Sequence, residues 1–286
     1  MLRQYIAFWR EYPDLFVDFM ITGDDPEHTR KHSFSLYFYQ RIMLRICMRY
    51  KYVYGVFPRA FSKSFLVDLI QMIRCILYPG ADIFVAAGGK EQSATILTEK
   101  VEDICDKIPA FRREINWSRG GGTTTSRDHA LYQFKNGSTL GNLAAAEKTR
   151  GVRKHAGVLE ECNSMDQKIL QDVLIPTMNV SRRALDGTVQ EDEVLNQSQV
   201  FITTAGYKQT YSYQKLLQIL VQMITEPGKA FALGGTYRIP LTSGLLSQRY
   251  VADLKRDSTF DEASFDREYK KLYSLNIVNC WKLLIA

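Results

Sequence analysis

A chain of 286 residues with 45% hydrophobic and 24% charged content can bury a substantial core, which excludes a disordered chain and a small disulfide scaffold. Thirty-seven Lys and Arg against 31 Asp and Glu leave a formal charge of +6, a surplus that suits a polyanionic partner without requiring one. Cys47, Cys75, Cys105, Cys162 and Cys280 show no paired spacing for a zinc site or disulfide framework, and Asp68 and Arg74 divide the best apolar run, 65–77, so a soluble protein of a reducing compartment is expected.

The N-terminus carries charges through its apolar stretch and lacks a small-residue cleavage site, so it does not read as a signal peptide. Residues 2–19 have the pattern of one amphipathic helix, followed by a turn at Gly23 and a polar run to His32; residues 1–35 are expected as an entry or lid segment. Helical spacing over 36–50 leads into a buried strand, 52–57, that meets Pro58. The period is helical again over 64–77 and closes at Pro79-Gly80, before a second buried strand, 82–87, and a helix over 90–108. Strand-like pieces at 114–117, 130–135 and 139–144, with turn chemistry at 120–122 and Asn136-Gly137, predict a β-hairpin insertion. A third strand over 157–162, a helix over 167–177, a fourth strand over 199–204, a helix over 213–224 and a strand over 230–233 precede a looser segment, 236–258. This alternation predicts an α/β fold with a mostly parallel sheet flanked by helices, which binds ligands beyond the carboxyl ends of its strands.

Three strand ends carry chemistry. In FPRAFSKS, residues 57–64, a lysine and a serine open a helix directly after an apolar strand. Backbone N–H groups there can hold phosphate oxygens, Lys63 can reach the β- and γ-phosphates, and the Ser64 hydroxyl can bind Mg²⁺. A standard P-loop has glycine where this chain has Phe57 and Ser62. In HAGVLEEC, residues 155–162, an apolar strand ends in Glu160 and Glu161, the arrangement in which one carboxylate holds a metal and the next orients an attacking water. In QVFITTAG, residues 199–206, a strand ends in Thr203 and Thr204, whose hydroxyls can sense a γ-phosphate. Taken singly, each also fits plain structure: a helix start bearing a lysine, a pair of strand-end acids, a strand entering a polar turn. Their order is that of a P-loop NTPase.

In that order the chain resembles the large terminase subunits of tailed bacteriophages, whose P-loop need not keep the usual glycines and often has an early arginine, as PRAFSKS does. The resemblance runs from 37 to 269 and includes YFYQRIML, AAGGKEQSA, TRGVRKHAGVLEEC and FDREY. It implies an ATPase domain over 36–250, with ATP and Mg²⁺ as cofactors. Gln40 would recognise adenine; Arg59, Lys63 and Ser64 would engage phosphates and metal on a turn completed by Ala60, Phe61 and Ser62. Glu160, where Asp is more usual, would hold the metal and Glu161 the water, while Thr203 and Thr204 would couple hydrolysis to movement. Arg150 or Arg153 matches the place of an arginine that reaches a neighbouring subunit's nucleotide; both also fit a basic turn that contacts DNA phosphates or water.

The function so implied is ATP-driven translocation of double-stranded viral DNA by a homo-oligomeric ring, with portal protein and small terminase subunit as partners, no membrane, and a location in the cytoplasm of the infected bacterial host. Arg112, Arg113, Arg119 and Lys148 are candidate phosphate contacts on the DNA. Residues 251–286 are expected as a linker region and truncated tail; after Tyr269 the tail carries no acid, so no nuclease activity is expected from this chain. A helicase-like ATPase and a non-hydrolysing nucleotide-binding remnant or assembly factor are the alternative readings.

Overall fold

The computed structural model describes residues 2–24, 34–118, 120, 122–184, 186–270 and 273, so Arg119, the polar run 25–33 and the tail 274–286 lie outside the described residues. One sheet of eight strands has the order β3-β4-β5-β2-β6-β7-β1-β8. The strands are β1 (Tyr52–Val56), β2 (Asp82–Ala87), β3 (Thr124–Ser126), β4 (His129–Gln133), β5 (Thr139–Ala144), β6 (Ala156–Glu160), β7 (Ser198–Thr203) and β8 (Ala230–Gly234). From β5 to β8 every pairing is parallel, and β3-β4-β5 is antiparallel. The expected hairpin is therefore part of the main sheet, since β5 pairs with β2 along its whole length. The piece expected as a strand at 114–117 is different: Glu114 closes a short helix, and only Ile115 makes a bridge, to Phe134.

Central strands are buried on both faces, as parallel strands sandwiched by helices must be. Alternation then sends Val53, Ile83, Val85, Val158, Val200 and Ile202 into one core, and Tyr54, Phe84, Leu159 and Phe201 into a second on the opposite face. The first core is covered by α1 (Leu2–Glu11), α2 (Pro13–Asp24), α3 (Phe38–Arg49), α4 (Lys63–Leu77), α5 (Lys90–Lys107) and α6 (Pro109–Glu114). The second is covered by the helical stretch 167–177, which contains a π-turn over Leu170–Leu174, and by the helix Tyr211–Thr225.

The single helix expected over 2–19 is broken at Tyr12, immediately before Pro13, whose ring clashes with a continuing helix. The first half packs against the main core through Trp9 and the second enters it through Phe16 and Val17, while Asp14 accepts a two-pronged hydrogen bond from Arg45 at 2.7 and 2.9 Å. Helix α4 is buried on nearly every side, and it carries two charged residues with it. Arg74 is 1% exposed and donates to the Cys47 carbonyl at 2.5 Å and to Ser198 Oγ at 2.9 Å, tying α3, α4 and β7 together. Cys47, Cys75, Cys105 and Cys162 are buried free thiols.

After β8, short helices Arg238–Thr242, Gln248–Arg256 and Glu262–Phe265 close a small satellite core of Leu246, Val251, Phe265 and Tyr269. That core draws residues from both sides of the boundary expected at 250. Among the described residues no helix is long and apolar enough to cross a membrane.

Close packing fixes where glycine is required in β6. A Cβ at Gly157 would stand 2.3 Å from the Phe84 ring, deep in the second core. Gly157→Ala should therefore lower stability by about 1–3 kcal/mol through overpacking, read as a shift in the urea midpoint at unchanged slope.

Candidate active site

Parallel pairing brings the carboxyl ends of β1, β6 and β7 to one rim. Val56 pairs with Thr203, Glu160 pairs with Ile202, and the Phe57 N–H donates to the Thr203 carbonyl at 2.9 Å just past the end of β1. The chain then turns through 57–62 into α4. Two residues of this turn, Ala60 and Ser62, have left-handed backbones with φ of 60° and 56°. Ser62 stands where a standard P-loop has glycine, so the conformation that glycine usually supplies is present without it. An aromatic stack supports it: the Phe57 and Phe61 rings are 4.3 Å apart at 15°, and Tyr39 lies 4.4 Å from Phe61 and donates to the Phe61 carbonyl at 3.3 Å.

The first bond inside α4 runs from the Leu66 N–H to the Ser62 carbonyl at 3.0 Å, which leaves the N–H groups of Lys63, Ser64 and Phe65 ahead of the helical ladder. They face a cleft of about 660 Å³ lined by Ala60, Phe61, Ser62, Lys63 and Ser64 on one side and Phe34, Tyr37 and Gln40 on the other. Unpaired N–H groups at a helix start with a lysine beside them form an anion site. The cleft also receives Lys100 from α5.

Below the turn, Ser64 Oγ donates a short hydrogen bond to Glu160 Oε1. Glu160 is 1% exposed and its Oε2 has no partner. Burial raises its pKa and the Glu161 charge adds to the shift, against the Ser64 hydrogen bond and the Lys63 ammonium, which favour the carboxylate. An orphaned carboxylate oxygen beside a serine hydroxyl fits Mg²⁺, an ion that takes few protein ligands and completes its shell with phosphates and water. Glu161 is partly exposed and has a left-handed backbone at φ 53°. Its carboxylate accepts from Gln92 Nε2 at 3.2 Å, and its carbonyl accepts from Ser164 Oγ at 2.8 Å. Thr203 is fully buried, with an unpartnered hydroxyl, and Thr204 is half-buried.

Other expected site residues are placed differently. Gln40 lines the cleft, but both ends of its amide are engaged inside the protein: Oε1 accepts from the Tyr37 N–H at 2.9 Å and Nε2 donates to Tyr39 Oη at 3.4 Å, a capping arrangement for α3. Arg59 points away from the cleft, 68% exposed, and pairs with Glu268 at 3.0 Å. Arg150 pairs with Glu147 on the surface, and Arg153 is exposed; neither lines the cleft. Arg112 pairs with Glu102 at 2.5 Å and lies over the Trp117 ring, whereas Lys148 is exposed.

In the sequence Asp68 reads only as an interruption of the apolar run 65–77. It is fully buried one helical turn after Ser64, and neither carboxylate oxygen has a partner. Gln92, which steadies Glu161, lies in the AAGGKEQSA segment but was not singled out. Its contact crosses 69 positions, beyond the reach of local pattern.

No protein-family profile matches the sequence, and no curated protein sequence is similar to it. Solved structures are similar in fold. The ATPase domain of the Thermus phage P74-26 large terminase, in a point-mutant form, aligns with a TM-score of 0.58 and 12% identity over 84% of this chain and 95% of that one. The large terminase of bacteriophage HK97 aligns over 91% of this chain with a TM-score of 0.63 and 14% identity. The large terminase of another thermophilic bacteriophage, in complex with ATP-gamma-S, aligns over 80% of this chain with a TM-score of 0.52 and 13% identity. The chain spans about half of these last two proteins, 55% and 49% of their lengths.

Two measurements follow from this geometry. Ser62→Gly should raise stability by up to about 1 kcal/mol, because removing a left-handed cost of roughly 1–2 kcal/mol outweighs the chain entropy of glycine, roughly 0.5–1 kcal/mol. For Asp68, burial and then the Glu160 charge hold the folded-state pKa well above 3.8. Its contribution is fully present below the unfolded-state value and is lost as pH rises toward the folded-state value. Asp68→Asn should therefore flatten the fall in stability that sets in as pH rises above about 4, the ordinary aspartate value, in urea titrations. Parallel pH profiles for the two proteins would contradict this assignment.

Together, the sheet order, the left-handed turn at the end of β1 and the acid pair at the end of β6 give this chain the fold of the ATPase domain of phage large terminases.

Proposed function

We propose that the chain is an ATP-hydrolysing motor domain that drives double-stranded viral DNA into a procapsid. The observation that carries the reading is the Ser64–Glu160 contact beneath a glycine-free turn whose backbone is nonetheless that of a phosphate cradle. The N–H groups of Lys63, Ser64 and Phe65 bind the phosphate oxygens, and the Lys63 ammonium reaches the β- and γ-phosphates. Ser64 and Glu160 would hold Mg²⁺, which when bound would neutralise charge on the phosphate oxygens. Glu161, steadied by Gln92, accepts the proton of the attacking water.

The base lies against the aromatic wall of Phe34, Tyr37 and Phe61, with Gln40 fixing the wall's backbone and meeting adenine only if one of its internal hydrogen bonds is exchanged. Ala60, Phe61 and Ser62 shape the turn; Arg59, released from Glu268, joins the phosphates. Thr203 connects the rim to the turn through its carbonyl, and with Thr204 it couples the γ-phosphate to movement.

Arg150 and Arg153, exposed and outside their own cleft, suit a role at a neighbouring subunit's nucleotide in a homo-oligomeric ring. One of them supplies the guanidinium that stabilises charge developing on the phosphoryl group. Portal protein and small terminase subunit are the assembly partners, in the cytoplasm of the infected bacterial host.

Mg²⁺-dependent ATP hydrolysis, measured across protein concentrations with and without double-stranded DNA, tests the reading. Lys63→Ala should lower the rate about 10²–10³-fold and Glu161→Ala about 10²–10⁴-fold. The wild-type rate per chain should climb with concentration. Nucleotide binding without turnover, unaffected by Glu161→Ala, would overturn the motor reading in favour of a non-hydrolysing binding protein.

A further inference from the structure

The second core contains a polar island. Tyr54 from the middle of β1, Cys162 just beyond the end of β6 and Ser212 in the first turn of the helix Tyr211–Thr225 are 0%, 2% and 4% exposed, within the core that Phe84, Leu159, Phe201 and Ile219 form. The Tyr54 hydroxyl lies 2.9 Å from the Ser212 carbonyl and 2.5 Å from Ser212 Oγ, and the Cys162 thiol lies 3.8 Å from both hydroxyl oxygens. A carbonyl only accepts, so the single Tyr54 proton goes to it, and the Ser212 hydroxyl donates in turn to Tyr54 Oη. The thiol donates to either oxygen, which makes a directed chain from the end of β6 to the start of the helix.

Phenylalanine, valine and alanine at these positions would fill much the same space with no polar atom to satisfy. Buried polar groups cost stability unless they are paired, and a paired set fixes the arrangement of the segments that carry it. Here those segments include the strand end that carries Glu161. Cys162 follows Glu161 directly, and the left-handed backbone of Glu161 is one that a residue other than glycine keeps only where its surroundings impose it. Gln92 holds the Glu161 carboxylate, and the Ser164 N–H and hydroxyl hold its carbonyl at 2.9 and 2.8 Å. Neither contact ties the strand end to β1. The Cys162 thiol, seated against Tyr54 and Ser212, does so.

We propose that Tyr54 and Ser212 are positioning residues for Glu161, acting through Cys162. They hold the end of β6 at the depth from which the Glu161 carboxylate meets the attacking water. The inference rests on reading Glu161 as the group that accepts the proton of that water.

Mg²⁺-dependent ATP hydrolysis by Tyr54→Phe and Ser212→Ala tests it. Each should lower kcat about 3- to 10-fold, as the loss of a neutral hydrogen bond does, with KM unchanged. In a Glu161→Ala background, Tyr54→Phe should lower the residual single-turnover rate no further, because the group it positions is gone. A lower urea midpoint with wild-type kcat, or an equal loss of rate with and without the Glu161 carboxylate, would overturn the proposal, since the cluster would then be structural alone. A wild-type chain without turnover would instead sink the motor reading, and positioning would be read from deuterium exchange. Tyr54→Phe should then speed exchange over 160–164 several-fold and leave 82–87, in β2 of the same sheet, unchanged. Equal acceleration of the two segments, or of neither, would count against it.

Discussion

Everything at the candidate site depends on the register of β6, β7 and β1. Because β1 is parallel to β7, with Val56 opposite Thr203, and β7 is parallel to β6, with Ile202 opposite Glu160, three segments far apart in sequence end at one level. The Phe57 N–H bonding the Thr203 carbonyl carries that register one residue beyond the sheet, into the turn that precedes α4. A slip of one residue would turn Glu160 into the opposite core and point Val158 and Ile202 away from α4. Buried apolar side chains on both faces of each strand therefore hold the chemistry in place.

The turn shows how backbone geometry can persist when the usual residue is missing. Glycine adopts left-handed angles without steric cost, whereas Ala60 and Ser62 each carry strain of about 1–2 kcal/mol. Such strain persists only where the surroundings over-determine it. Here they do so through the Phe57–Phe61–Tyr39 stack, whose ring pairs contribute about 0.5–1.5 kcal/mol each beyond their burial. The bond from the Tyr39 hydroxyl to the Phe61 carbonyl pins the residue between the two strained positions. The N-terminal helices enter the same account, because they pack on α3, which carries Tyr39 and Gln40.

What the sequence made legible follows from how local each signal is. Strands β2 and β5 end where apolar alternation and turn residues place them, and the lysine turn, acid pair and threonine strand end were recognisable because each lies within eight residues. The break at Pro13 was readable from the proline itself, yet apolar spacing continues across it and suggested one helix. Arg59 was read by its place beside the turn, but its orientation is decided by Glu268, 209 positions away. Gln40 was read as a base contact, while its amide is used to cap the helix that carries it. Asp68 is the clearest case of a residue whose meaning needs the fold: a carboxylate in an apolar helix pattern suggests a solvated position, and only the covering of α4 by its neighbours buries it.

The central claim is that a strained, glycine-free turn and the Ser64–Glu160 pair together form a nucleotide–metal site. Calorimetric titration of ATP-gamma-S into the wild-type chain, Lys63→Ala and Ser64→Ala, with and without Mg²⁺, tests it most directly. The account predicts wild-type binding that strengthens with Mg²⁺, a loss of at least about tenfold in Lys63→Ala under both conditions, and a loss of only the Mg²⁺-dependent part in Ser64→Ala, since a charge-assisted contact contributes about 1.5–3 kcal/mol. Equal affinities in all three proteins, indifferent to Mg²⁺, would contradict it.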